Sequence, residues 1–186
     1  MLGVPYFLGL AVAVAAIAGF CDWRTGEIPN RVTLWPLVIA PIAHFAAPLL
    51  EERSVEAAID GAGFSLLGAI ACAAVPLMMW RLSGGKAMGG GDVKLFAALG
   101  AILRPSVGIE AEFYSFFAAL LIAPARLAYE GKLLRVLGNT LTLAVNPFLP
   151  RHKRREISPE MLTSMRFGPA IFIGTCTAAF THWRVS

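Results

Sequence analysis

The chain has 186 residues and a formal net charge of +4, and its length suits a single domain. It is 57% hydrophobic and 15% charged, whereas soluble globular proteins have about 25% charged residues. This balance excludes intrinsic disorder, and three cysteines are too few for a disulfide scaffold. The class that remains is a polytopic membrane protein.

Long uncharged runs predict the membrane-spanning helices, since about 20 apolar residues are needed to cross the hydrocarbon. We predict an all-α fold in which residues 1–186 form one membrane-embedded domain with six spans. The predicted spans are residues 1–20, 32–50, 61–80, 93–109, 113–129 and 167–183. Lys94 and Arg104 must reach outward from the ends of the fourth span, and a short turn over Gly108–Glu112 is expected between the fourth and the fifth.

The distribution of positive charge predicts the orientation of these spans. With the N-terminus outside, most Lys and Arg residues fall on the cytoplasmic side, including a basic segment over residues 131–166. A seventh span over Val136–Leu149 would export the basic cluster Arg151–Arg155, against the positive-inside rule. That stretch is therefore interpreted as interfacial or re-entrant.

Two features within the spans are interpreted as architecture. Ala11, Ala15 and Gly19 recur every four residues and predict a face on which another helix packs closely. His44 lies inside an apolar span, where a satisfied helix contact is the expected role.

Two acidic residues stand where a predicted span meets the cytoplasmic side. Asp22 follows the first span, and Asp92 precedes the fourth. Two crossings separate them, so both face the same side of the membrane. Two carboxylates about 3 Å apart share one proton. The ionised member can then activate water while the protonated member polarises a carbonyl, which is the chemistry of an aspartic protease.

Three glycines, Gly89, Gly90 and Gly91, immediately precede Asp92. Glycine permits positive φ and close backbone approach, so these residues are interpreted as support for the backbone of a peptide substrate. Alternatives stay open for each feature alone: a flexible loop for the glycines, a helix N-cap for Asp92 and a surface charge for Asp22.

Together these segments resemble the type IV prepilin peptidases, membrane aspartic proteases of the GxGD class. Three segments carry the resemblance: Gly89-Gly90-Gly91-Asp92 continuing into Val93-Lys94-Leu95, Asp22 followed by Ile28-Pro29-Asn30, and Phe167-Gly168-Pro169-Ala170-Ile171 followed by Gly174. Their spread along the chain extends the resemblance over nearly its whole length.

The resemblance implies an endopeptidase with Asp22 and Asp92 as its catalytic pair. It would remove the short basic leader peptide from type IV pilin-like precursors at the cytoplasmic face of the inner membrane. The larger members of the family carry paired CxxC zinc motifs, whereas Cys21, Cys72 and Cys176 lie far apart here. No metal or cofactor is therefore expected, and the chain is similar to the minimal branch, the CpaA- or TadV-like peptidases of tight-adherence (Flp) pilus systems.

Two alternatives remain for the function. An archaeal-type preflagellin peptidase shares the two-aspartate plan. A non-enzymatic transporter or assembly subunit would use the same aspartates as proton or ion sites, although both lie on one face and no inverted repeat is visible. The expected partners are a pilin-like precursor and the lipid bilayer, with no nucleic acid; the sequence does not predict the oligomeric state.

Overall fold

The computed structural model of the protein describes residues 3–85, 88–129, 131, 134, 138 and 166–183. These residues form five helices: α1 (Gly3–Thr25), α2 (Asn30–Leu50), α3 (Val55–Leu82), α4 (Gly90–Tyr129) and α5 (Gly168–Trp183). The chain divides into two units, of which the first comprises Met1–Ala119 with Arg166–Ser186 and the second Leu120–Met165. Most of the predicted basic segment over residues 131–166, including Val136–Leu149, lies outside the described residues.

Four helices, α1 to α4, are long and apolar enough to cross a membrane, judged by length and composition. Their outer surfaces expose large apolar side chains, among them Trp35, Ile42 and Ile70. Apolar surface on this scale is typical of contact with lipid or with another protein. The helices indicate an all-α, multi-pass membrane protein, whereas the count of six spans and the outside N-terminus stay predictions.

Helix α4 folds back on itself at Arg104, whose φ of 61° and ψ of 174° interrupt the helix. The rings of Phe96 and Phe116 stack with centroids 5.7 Å apart, whereas a straight helix would separate positions twenty residues apart by about 30 Å. A Cβ on Gly108 would lie 3.1 Å from the Cα of Gly100. The element is therefore a helical hairpin, which provides the reversal that the fourth and fifth predicted spans require.

The reversal does not lie at Gly108–Glu112, as the sequence analysis expected, but four residues earlier. Proline disfavours the helical conformation of the residue before it and is well suited to the first position of a helix. Pro105 accordingly ends the first arm at Arg104 and begins the second. Gly108 and Glu112 are buried between helices instead.

Small residues allow the helices to approach closely. Helix α1 packs on α5 and on α2, and α2 packs on α3. The close-packing face predicted for α1 is confirmed, because Ala11, Ala15 and Gly19 are all buried. A Cβ on Gly19 would lie 3.1 Å from the carbonyl oxygen of Gly168 in α5, so these two backbones are nearly in contact.

A similar close approach joins α3 to the first arm of α4, and it leads to a stability prediction. A Cβ on Gly68 would lie 2.9 Å from the carbonyl carbon of Gly100, and Ser65 donates a 2.7 Å hydrogen bond to the carbonyl of Ala101 nearby. We expect Gly68→Ala to destabilise the protein by about 1–3 kcal/mol through this overlap. Thermal unfolding of the detergent-purified protein measures the change.

Gly63→Ala is the matched control, because Gly63 lies on the same helix and a Cβ there would have no neighbour within 4 Å. Alanine has a higher helix propensity than glycine, so this variant should unfold at the wild-type temperature or above it. Equal unfolding temperatures for the two variants would contradict the close packing of α3 on α4.

Candidate active site

Asp22 lies in the last turn of α1, which continues past the predicted span of residues 1–20. Only 5% of the surface of Asp22 is exposed. Gly26, with φ of +76°, ends the helix and donates its N–H to the carbonyl of Asp22 at 2.9 Å. A glycine in the left-handed region is a common helix stop, and here it holds Asp22 at the very end of α1.

Asp92 lies in the first turn of α4, which begins at Gly90, and only 7% of its surface is exposed. Its Oδ2 accepts a 3.1 Å hydrogen bond from the N–H of Gly89. The carboxylate therefore reaches back from inside the helix, as the acidic member of a capping box does, and Asp92 is not itself the N-cap. A negative charge in the first turn is also favoured by the helix dipole.

The sequence offers two reasons for the three glycines before Asp92, positive φ and close backbone approach, and the structure shows the second. Positive φ occurs at Gly84 and Gly85 but not at Gly89, Gly90 or Gly91. These glycines allow neighbouring groups to approach the backbone closely. A Cβ on Gly91 would lie 3.1 Å from the Cβ of Ile28, and one on Gly89 would lie 3.2 Å from Oδ2 of Asp92. Side chains here would press on the neighbouring loop and on the carboxylate.

The structure brings Asp22 and Asp92 into one cleft of about 610 Å³ at the end of the helix bundle. The two carboxylates are close enough for their charges to interact. The cleft is lined by the end of α1, the α1–α2 loop and the start of α4: Asp22, Thr25, Gly26, Glu27, Ile28, Pro29, Asn30, Gly89, Gly90, Gly91 and Asp92. Gly89 and Gly90 are exposed at its rim.

Contacts between α2 and α4 fix the two sides of the cleft against each other. Lys94 donates a 2.9 Å hydrogen bond from Nζ to Oδ1 of Asn30 at the start of α2. Ile28 lies against Gly91. The Ile28-Pro29-Asn30 segment that follows Asp22 in the sequence therefore docks on the segment that carries Asp92.

Helix α5 supplies a contact that the sequence analysis did not assign to the site. The N–H of Gly168, the first residue of α5, donates a 2.8 Å hydrogen bond to Oδ2 of Asp22. A carboxylate at the C-terminal end of α1 is disfavoured by that helix's dipole, whereas the N-terminus of α5 favours it. The available signal was the Phe167-Gly168-Pro169 segment, which resembles the family's last-helix signature.

Gly168 has no space for a side chain. A Cβ there would lie 2.7 Å from the Cβ of Asp22, 2.9 Å from its Oδ2 and 3.1 Å from the Cα of Gly19. Arg166, just before α5, donates a hydrogen bond to the carbonyl of Trp23. The start of α5 is thus bound to the end of α1 at two neighbouring residues, Asp22 and Trp23.

An aromatic cluster joins the segments that follow Asp92 and precede Gly168. Phe167 precedes Gly168, and Phe96 lies one turn beyond Asp92 in α4. The ring centroids of Phe167 are 6.4 Å from Phe96 and 5.5 Å from Phe116. Phe96 and Phe167 are buried, and this apolar cluster lies close in sequence to Asp92 and to the Gly168 N–H that binds the other carboxylate.

The arrangement contains two buried carboxylates, each held by one backbone N–H, beside a cleft large enough for a peptide segment. Such a pair can exchange protons with a water molecule and with a bound carbonyl. Among the residues that the structure describes, no three His, Cys, Asp or Glu side chains are grouped as a metal site would require.

Comparison with known proteins places these features in a family. The family model of the type IV leader peptidases matches residues 9–124, a range that contains both aspartates and the three glycines. Searches among curated proteins and among solved structures gave no significant match. Since the matched range covers most of the chain and the whole α1–α4 side of the cleft, the protein belongs to the type IV leader peptidase family.

Proposed function

We propose that the protein is an aspartyl endopeptidase that removes the leader peptide from type IV pilin-like precursors. The observation that carries the proposal is the meeting of Asp22, from α1, and Asp92, from α4, at one cleft that opens to the surface. Membership of a leader peptidase family supplies the reaction class, and the paired carboxylates supply a chemistry for it.

In the proposed mechanism one proton is shared by the two carboxylates, since two like charges held together in one cleft cannot both ionise readily. We assign the ionised state to Asp22, because it accepts the shorter of the two backbone hydrogen bonds and lies at the N-terminus of α5. Asp92 then carries the proton. This assignment gives each residue a distinct role.

Hydrolysis would proceed through a tetrahedral intermediate. Asp22 takes a proton from water as the water oxygen attacks the scissile carbonyl carbon, and Asp92 gives its proton to the carbonyl oxygen. Asp22 then returns its proton to the departing amine as the C–N bond breaks. No covalent enzyme intermediate forms, and both carboxylates return to their starting state after the oxygen's proton passes back to Asp92.

The substrate would lie along the exposed rim of the cleft. Gly89 and Gly90 present backbone without side chains there, so an extended peptide can approach the carboxylates closely. We propose a Flp-type precursor as the substrate, with the cleft facing the cytoplasm at the inner membrane, because the chain resembles the minimal branch of the family and its basic segment favours that orientation.

Incubation of the purified protein with a candidate pilin precursor tests the function. Mass spectrometry of the products should show one cut that separates the basic leader from the apolar helix of the precursor. Proton flux through reconstituted vesicles with no peptide cleavage would instead identify a transporter, and the proposal would fail.

A prediction about inhibitors follows from the mechanism, because a carboxylate rather than a bound metal ion activates the water. EDTA and reagents directed at serine or cysteine should leave the cleavage rate unchanged. The same assay, run with and without each reagent, gives the comparison. Activity that EDTA abolishes and added zinc restores would contradict a two-carboxylate mechanism.

A further inference from the structure

A second cavity lies at the end of the helix bundle opposite the aspartates. It has a volume of about 230 Å³ and lies where α1 begins, α2 ends and α4 reverses at Arg104. Phe7, Leu8 and Val107 give it an apolar part, and Arg53 and Arg104 give it a charged part. Ends of membrane-spanning helices lie near the lipid head groups, so a ligand that is part apolar and part charged is available at this level.

His44 forms one wall of the cavity and is neutral in its observed contacts. Its Nε2 donates to the carbonyl of Ile102 at 2.9 Å, and its Nδ1 accepts from Nη2 of Arg104 at 3.1 Å. A ring with one donating and one accepting nitrogen carries no charge. Phe7 stacks on the ring with centroids 3.8 Å apart. The prediction that His44 is a satisfied helix contact is confirmed, and its position orients Arg104.

Among the residues that the structure describes, the guanidinium of Arg104 has no compensating anion. Its hydrogen-bond partner is the neutral His44, and its Nε is buried without a hydrogen-bond partner among the described residues. In the same part of the chain no carboxylate lies within ion-pair distance of it. Glu51, the acidic residue of the cavity, pairs with Arg53 at 3.1 Å. The cavity therefore has one net positive charge.

The backbone of Arg104 has a conformation that is unfavourable for any residue with a side chain. A φ of 61° with a ψ of 174° belongs to a region that glycine alone adopts at low cost, and such strain is concentrated at functional positions. Glycine would turn the hairpin with less strain. An arginine here keeps a guanidinium at the cavity at the expense of backbone stability.

We propose that this cavity binds the phosphate of an anionic phospholipid head group, with Arg104 as the main contact. Arginine binds phosphate through paired N–H donors, and such a phosphate would supply the missing negative charge. The volume is below that of sites for drug-sized ligands, so it suits the head group and glycerol, with the acyl chains on the outer apolar surface. The proposal does not depend on the peptidase function.

Thermal unfolding of the delipidated protein in detergent tests the proposal, with phosphatidylglycerol as the probe. We expect a saturable rise of about 5–10 °C in the unfolding temperature when lipid is well above its dissociation constant. Inorganic phosphate at the same concentration should give no saturable rise. An equal rise with inorganic phosphate would assign the site to free phosphate, and no rise with either would overturn the proposal.

Variants at Arg104 separate binding from folding. Arg104→Gly removes the guanidinium and relieves the backbone, so it should unfold at the wild-type temperature or above it without lipid, yet lose the rise with phosphatidylglycerol. Arg104→Lys should keep part of the rise. Arg81→Gln, at the opposite end of α3, is the control and should keep all of it. A full lipid-dependent rise in Arg104→Gly would show that the lipid binds elsewhere.

Discussion

Asp22→Asn and Asp92→Asn should each abolish cleavage of a pilin-type precursor while the protein remains inserted and folded. Positioned acids and bases contribute about 10²- to 10⁴-fold to a rate, and the shared proton requires both carboxylates, so either single change should remove most of the acceleration. Single-turnover cleavage of the precursor by the purified variants measures the loss.

Asparagine is the informative replacement because its side-chain oxygen can still accept the N–H that each carboxylate accepts, from Gly168 for Asp22 and from Gly89 for Asp92. The variants should therefore unfold near the wild-type temperature. Asp60→Asn is the matched control, since Asp60 is an exposed acid on α3. This variant should cleave the precursor at the wild-type rate. Substantial cleavage by either Asp22→Asn or Asp92→Asn would refute the proposed pair.

The sequence predicted the helices well where hydrophobicity alone determines them. The uncharged runs after Arg31 and before Arg81 each fall within one observed helix, as does the run before Asp22 from Gly3 onward. The helices continue past these runs into charged residues, because backbone hydrogen bonding does not stop where the apolar stretch stops. Asp22 consequently belongs to α1, where a helix end and not a flexible loop determines its position.

Local backbone geometry was predicted less well. The sequence predicted two spans joined by a turn over this part of the chain, but the position of the reversal depends on the steric effect of Pro105 on Arg104. The glycines before Asp92 could have served for positive φ or for close approach, and at Gly91 the structure shows the second, since a Cβ there would press on Ile28. Composition does not distinguish these two uses of glycine; only the position of the neighbouring chain does.

The sequence predicted that the two aspartates lie at one end of the helices, from the even number of crossings expected between them, whereas it did not predict the groups that support them. The donor to Asp22 is the backbone N–H of Gly168, at the far end of the chain. Every non-proline residue carries such a donor, so no residue type marks it in a sequence. What the sequence does show is a glycine at that point, and the structure gives the reason for it.

Gly168→Ala should strongly impair cleavage although no chemical group of the proposed pair is changed. The new Cβ would lie 2.7 Å from the Cβ of Asp22 and 3.1 Å from the Cα of Gly19, so α5 and α1 must move apart. Asp22 would then lose its hydrogen bond from the start of α5. A displacement of about 1 Å at a catalytic group can lower a rate about 10²-fold, which the precursor cleavage assay would measure.

Gly9→Ala, in α1, is the control for this variant, because a Cβ at Gly9 would have no neighbour within 4 Å. It should cleave the precursor at the wild-type rate, and the helix preference of alanine should keep it at least as stable. Thermal unfolding of Gly168→Ala distinguishes misplacement of Asp22 from loss of the fold, since a cooperative transition with little cleavage indicates the former. Wild-type cleavage by Gly168→Ala would mean that the contact between α5 and Asp22 does not position the carboxylate.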